Sequence, residues 1–399
     1  MKKYILLFCT LFLVEILTAQ IVNIPDANLK KYLVGKTNIN TNSDTEIQVS
    51  EAVAYKGDIV VNKFSIDDVT GIETFVNLTV LDLTNNSITK LDVSKNIALI
   101  GLDCKGNKLT KLDVSKNIAL EELDCRGNNL VTLDVGKNIN LIYLDCSYTQ
   151  LTKLDVSNNI GLNVIACGNN QLITLDVSKN FNLIYLNFQY NQFTTIDVSE
   201  NIFLKSLTFY SNLLTTIDVS KNIDLEFLGC SDNKLSTLDV SKNFILRSLY
   251  CENNNLKQLN VKNGKNKFLT RFKAQNNPLL KCIEVDDPVN INSDWEKDAT
   301  TIYSANCTVA TNDLLASTAV SVFPNPVTED CTIAFDFEHN YDVTVHIFDI
   351  NGKVLQSNVF KNVSKNKENI NVQHLPNGIY VLQTIIGDEQ VSRKLVIAR

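Results

Sequence analysis

The chain has 399 residues, a formal net charge of −7, and 20% charged and 44% hydrophobic residues, as soluble globular proteins do. Its 51 Asn stand against 14 Gly, 6 Pro and 3 His, a balance that excludes a disordered or collagen-like chain. All three His lie beyond residue 330, which argues against His-based catalysis or zinc ligation before it, and no basic cluster points to nucleic acid.

Residues 1–19 read as a secretory signal: Lys2 and Lys3, then an apolar run from Ile5 to Val14, then Ala19 before Gln20. The run is too short to span a bilayer, and no other stretch approaches that length. Residues 20–77 form an N-terminal cap, with a short helix from Ile24 to Leu33 begun by Pro25 and Asp26. The twelve residues that follow from Asn40 to Glu51 resemble an EF-hand loop. In that reading Asn40, Asn42 and Asp44 offer side-chain oxygens, Glu46 its carbonyl and Glu51 a bidentate carboxylate. Thr45 stands where the loop needs Gly, so closure by hydrogen bonds alone is the alternative to Ca2+, and no other cofactor is expected.

Residues 78–280 repeat with a period of 21. The unit from Leu99 is LIGLDCKGNKLTKLDVSKNIA, and it recurs with a two-residue insertion near Asn263–Lys267. Six of the ten Cys (Cys104, Cys125, Cys146, Cys167, Cys230 and Cys251) fall on one comb, with Phe188 and Phe209 in its vacant teeth. A position shared by Cys and Phe is a core position, so these read as buried thiols. Cys282 and Cys307, off the comb, are the expected disulfide. One unit buries about six side chains at roughly 2 kcal/mol each, while ordering 21 residues costs on the order of 30 kcal/mol. Only stacking closes that gap.

The repeat resembles that of bacterial leucine-rich repeat proteins, and the caps resemble those of exported Bacteroidetes proteins. The resemblance implies a mainly β fold: a right-handed leucine-rich repeat solenoid with a small helical N-terminal cap. About ten parallel strands are expected, centred at every twenty-first residue from 82 to 250 and near 273. One Asn ladder runs from Asn86 to Asn254 and a second from Asn96 to Asn243, both expected to turn inward and bond turns above and below. The Asp92-type ladder faces solvent and caps the next Ser turn. Function is expected where the repeat is irregular, on the outward strand positions. Tyr143, Tyr185, Tyr210, Phe227 and Tyr250, with Tyr148 and Tyr190 beyond the strand ends, lie beside Asp103, Asp124 and Asp145. Exposed rings beside acids suit recognition of a protein or glycan.

Residues 281–307 close the array, with Trp295 over the last Leu layer, and 308–321 form a linker. Residues 322–399 alternate as strands of an antiparallel β-sandwich, with a two-residue hairpin turn at Asn351-Gly352. Phe323-Pro-Asn-Pro326, Leu375-Pro-Asn-Gly-Ile-Tyr380 and the terminal Lys394–Arg399 closely resemble the type IX secretion sorting domain. The resemblance marks Pro324, Asn325, Pro326, Gly378, Tyr380 and Lys394 as its motif. It implies partnership with that secretion machinery and export across both membranes to the cell surface or medium. The expectation is a monomeric, non-enzymatic recognition or adhesion protein; the alternatives are a structural surface component or a glycan-active enzyme.

Overall fold

The computed structural model describes residues 20–307, 320–337, 340–386 and 389–399; the expected signal segment, 1–19, and residues 308–319 of the expected linker lie outside them. Contacts divide the chain into two units, one of Met1–Lys257, Asn263–Leu279 and Ile291–Asp298, the other of Gln258–Lys262, Leu280–Asn290 and Ala299–Arg399.

The first unit opens with α1 (Ala27–Val34), capped by Asp26, whose carboxylate accepts the amides of Asn28 and Leu29. Helix α2 (Val49–Ala54) starts with a capping box between Gln48 and Glu51. There follows one parallel sheet of eleven three-residue strands among the described residues: Asp58–Val60, Val80–Asp82, Gly101–Asp103, Glu122–Asp124, Tyr143–Asp145, Val164–Ala166, Tyr185–Asn187, Ser206–Thr208, Phe227–Gly229, Ser248–Tyr250 and Arg271–Lys273. Ten fall where the period places them. The additional one, Asp58–Val60, comes from the N-terminal cap and pairs with Val80–Asp82, so the sheet begins one turn earlier than the repeat.

The strands are short because each turn soon needs a left-handed residue. The slot is filled by Asn85, Gly106, Gly127, Tyr148, Asn169, Tyr190, Ser211, Asp232, Asn253 and Asn276, with φ between 52° and 65°. The inward residue of each strand is fully or almost fully buried, as are the comb positions; the six comb Cys are free thiols. Burial pushes their pKa values upward, to about 12 for Cys167, which makes them inert packing groups.

Both Asn ladders turn inward, but they reach only one way. Asn107 donates from Nδ2 to the carbonyls of Leu83 in the preceding turn and Cys104 in its own, and its Oδ1 accepts the Ile88 amide. In the second ladder Asn117 donates to Val93 and Asn96 of the preceding turn, and its buried Oδ1 accepts nothing. The expected bonding above and below is thus one-directional from the side chain. The solvent-facing Asp ladder caps its own turns: Asp92, Asp113, Asp155 and their equivalents accept the amide two residues on. The second extended side of most turns is joined to its neighbour by one backbone bond, such as Asn129 to the Leu109 carbonyl, and by two where Lys234 and Ser236 donate to the carbonyls of Leu214 and Thr215. Among the described residues it becomes a strand within this unit only at Thr237–Asp239. Trp295 packs on Phe272 with ring centroids 4.6 Å apart and donates to the Leu269 carbonyl at 2.8 Å.

In the second unit Gln258–Asn260, Cys282–Glu284 and Ile302–Ser304 form parallel pairs, and a disulfide joins Cys282 to Cys307. The C-terminal residues form a three-stranded antiparallel sheet (Val320–Phe323, Asp330–Phe335, Lys367–Asn371) and a four-stranded one (Val354–Val363, Tyr341–Phe348, Gly378–Ile386, Glu389–Ile397) around one core that includes Cys331, Phe335, Val345 and Leu395. The Asn351-Gly352 hairpin differs from the expected two-residue turn. Asp349 donates its amide to the Lys353 carbonyl and Gly352 sits at φ 80°, giving a three-residue loop. The Asp349 carboxylate accepts the amides of Asn351 and Lys353, which favours the longer loop.

Candidate functional site

The parallel register sets the outward residues of the main sheet in columns. One column reads Tyr143, Val164, Tyr185, Ser206, Phe227; the next reads Asp103, Asp124, Asp145, Ala166, Asn187, Thr208, Gly229 and Tyr250. The acids of the second column are already engaged. One oxygen of Asp103, Asp124 and Asp145 accepts the amide two residues later. The other oxygens join a zigzag of charges: Lys105 pairs with Asp103 and lies 3.5 Å from Asp124, and Arg126 lies 3.6 Å from Asp124 and 2.9 Å from Asp145. Burial, then the flanking Asp103 and Asp145, raise the pKa of Asp124 to about 6 against the opposing pull of Arg126. The face therefore gains a proton as pH falls through about 6. Burial and the neighbouring Asp145 and Asp124 push Tyr143 up to about 12.

The rings form two groups. Tyr143, Tyr148 and Tyr185 share the lining of a concavity of about 780 Å³ with the small residues Gly106, Gly127, Ser147 and Ala166. Arg126 and Asp145 stand at the same opening, with Asn187 and Gln189. The small side chains create the depression that larger ones would fill. Tyr210, Phe227 and Tyr250 make the second group, with Phe227–Tyr250 centroids 5.6 Å apart and Tyr210–Tyr250 6.5 Å apart. Tyr210 lies directly over Gly229, leaving no room for a Cβ there. Tyr190 stands beyond its strand end, 54% exposed.

The EF-hand-like residues are brought together, but not as a cation cage. Oε1 of Glu51 accepts the Thr41 amide and hydroxyl and the Asn42 amide, and Oε2 accepts the Gln48 amide. Asp44 accepts the Glu46 amide and the side chains of Asn42 and Gln48, Asn40 donates to the carbonyls of Val34 and Asp44, and the Glu46 side chain pairs with Lys30. A calcium site needs several oxygens free to face one centre. The carboxylate oxygens of Asp44 and Glu51 face N–H groups of the loop, whereas the buried Oδ1 of Asn40 accepts nothing, and no group of three or more His, Cys, Asp or Glu among the described residues is placed to hold a metal. As it stands the loop is closed by hydrogen bonds. Burial opposes the charge of Glu51, but its four hydrogen bonds hold the pKa below the ordinary value of 4.5. Its contribution to stability is complete above that value and disappears as pH falls through the lower folded-state value. Glu51→Gln is expected to cost about 2 kcal/mol at neutral pH, a loss that fades in acid; urea melts of both proteins with and without calcium check this, and calcium should shift neither midpoint.

The motif phrases of the tail converge. Asn325 donates to the Lys394 carbonyl and accepts the Val396 amide on the last strand. Tyr380 donates to the Pro376 carbonyl, with Gly378 beside its ring, and Arg399 donates to the carbonyls of Thr328 and Val372 while Asn377 binds its backbone. Pro324 and Pro326 flank the bridging Asn325.

Sequence reasoning missed a further feature. Ile97, Ile118, Ile139, Ile160, Phe181, Ile202, Ile223 and Phe244 each follow a residue of the second Asn ladder, and all are between 46% and 61% exposed. Their period is visible in the sequence, but periodicity alone does not tell an outward apolar position from a core one.

Residues 321–398 match the family described as secretion system C-terminal sorting domain, and residues 24–159 match the family described as endo-β-N-acetylglucosaminidase EndoS LRR domain. No curated protein sequence matches the chain. Among solved structures, the functional domain of InlJ from Listeria monocytogenes, described as including a cysteine ladder, is similar with a TM-score of 0.60 at 23% identity, over 95% of this chain and 98% of that one. An internalin, InlF, from the same organism gives 0.46 at 19% identity, over 69% and 95%. The InlJ likeness concerns the fold. The chain is an exported leucine-rich repeat protein that carries a type IX secretion sorting domain at its C-terminus.

Proposed function

We propose that the protein recognises a protein or glycan partner through the concavity on its repeat sheet, without chemistry of its own. The observation that carries this reading is Tyr148. It occupies the left-handed slot that most other turns give to Gly, Asn or Asp, and it is 59% exposed at the concavity. A bulky residue there costs about 1–2 kcal/mol, and such strain points to use when the side chain faces a cleft. Three rings with carboxamides, Lys105 and a paired Arg126–Asp145 offer contact area and hydrogen bonds. The engaged column acids and the inert thiols support a binding role.

Tyr148→Asn is expected to raise stability by about 1 kcal/mol while weakening capture on glycan and surface-protein arrays at least tenfold. Unchanged capture would overturn the reading, and no capture by the unaltered protein would favour a structural component. One observation favours a glycan-active enzyme: the raised pKa of Asp124, about 6, is what a general acid needs. Shortened products among the array glycans, lost in Asp124→Asn, would establish that instead.

A further inference from the structure

We propose that the apolar ridge from Ile97 to Phe244 is a self-association surface whose occupant is a second copy of this chain. Its eight members stand four residues before successive strands of the main sheet, one per turn. Each follows an Asn whose carboxamide is bonded to the turn before, as Asn159 is to Val135 and Asn138, so the spacing is fixed by the ladder. At about 4.8 Å per turn the ridge runs roughly 34 Å. Soluble monomers rarely leave a contiguous apolar strip of this extent uncovered.

Two observations select the occupant. The first is the period. A helix presents its residues about 5.4 Å apart per turn and would fall roughly 4 Å out of step along the ridge, almost a whole repeat. A second solenoid of the same chain carries the same spacing and stays in step throughout. The second is the border. Exposed Lys95, Lys116, Lys179 and Lys221 run beside the ridge, and each lies close enough to an Asp of the solvent-facing ladder to lower its pKa. Both signs stand in six of the eight turns, with Asn158 and Glu200 at the Lys position of the other two, so the border is no cationic strip, and an anionic lipid surface would meet the unbroken Asp row. The strip is narrow, which places the contact in the small, reversible class.

Sedimentation equilibrium of the full chain should give a dimer with a dissociation constant on the order of 10 µM. The triple variant Ile118→Thr, Ile139→Thr, Ile160→Thr should weaken it at least tenfold with circular dichroism and melting unchanged. Should that variant fold poorly, Ile160→Lys alone is expected to act in the same direction. A chain monomeric at concentrations fifty times higher, or a dimer indifferent to both variants, would overturn the proposal. So would ridge-dependent sedimentation with phosphatidylglycerol–phosphatidylethanolamine vesicles, which would give the surface to lipid. Tyr148→Asn should leave the dimer intact, so this proposal and the reading of the sheet face fail separately.

Discussion

Replacing Asn159 by Ala is expected to lower the free energy of unfolding by about 3 kcal/mol. The side chain is fully buried, and its Nδ2 donates to the carbonyls of Val135 at 3.0 Å and Asn138 at 2.8 Å. Ala removes one of the two hydrogen bonds at each carbonyl, which keep the amides of Asn138 and Leu141, at about 1 kcal/mol each, and leaves the space of the carboxamide empty. The loss falls on the contact between turns, the term that lets an array of individually unstable units fold at all. Because Oδ1 of Asn159 has no partner, the donors alone matter. Asp at the same position keeps the shape, removes the donors and buries a charge, so Asn159→Asp should cost at least as much. Asp155→Asn is the control: its oxygen accepts the Ser157 amide, an Asn oxygen does the same, and the change should be near zero. Guanidinium unfolding of the three variants checks the order, and a loss below about 1 kcal/mol for Asn159→Ala would show that the ladder does not tie the turns.

The solenoid was legible because one structural demand is written into the chain many times over. Leu102, Leu123 and Leu144 each repeat the same constraint, so the inward positions separate cleanly from the outward ones. The strand at Asp58–Val60 was not legible, because it borrows the sheet without sharing the repeat and is marked only by the burial of Ile59. The ridge at Ile97 shows the weakness of reading apolar residues as core, since burial implies apolar character far better than the reverse. Asp103, Asp124 and Asp145 carried a signal that could have been used. Each stands two residues before an amide that it accepts, the same Asx spacing already recognised in the Asp92-type ladder. The loop from Asn40 to Glu51 was ambiguous for the same reason: oxygens that could face a cation also serve backbone amides, and only geometry decides between them. Tyr148 and Tyr190 were placed beyond the strand ends, but their left-handed backbone was hidden because Gly, Asn, Ser and Asp share the slot.

Phe188→Cys separates repetition from packing. Six other turns carry Cys at this comb position, so consensus reasoning expects the substitution to be neutral or stabilising. Packing predicts a loss of about 3 kcal/mol, slightly below the usual cost of deleting a buried Phe ring. Phe188 is fully buried, stacked on Phe209 at a centroid distance of 5.5 Å and against Phe193 at 4.6 Å. Phe193 itself stands where neighbouring turns have Leu151 and Leu172. The three rings fill one another's space, and a Cys at 188 would face neighbours sized for a ring and leave a void. Phe209→Cys should cost a similar amount, and the double variant less than the sum, because removing the first ring already removes the stacking partner of the second. Chemical unfolding of the two single variants and the double variant tests this. Additive losses would mean that the rings pack independently, whereas a gain in stability would mean that the 21-residue consensus, and not the local aromatic block, sets the optimum.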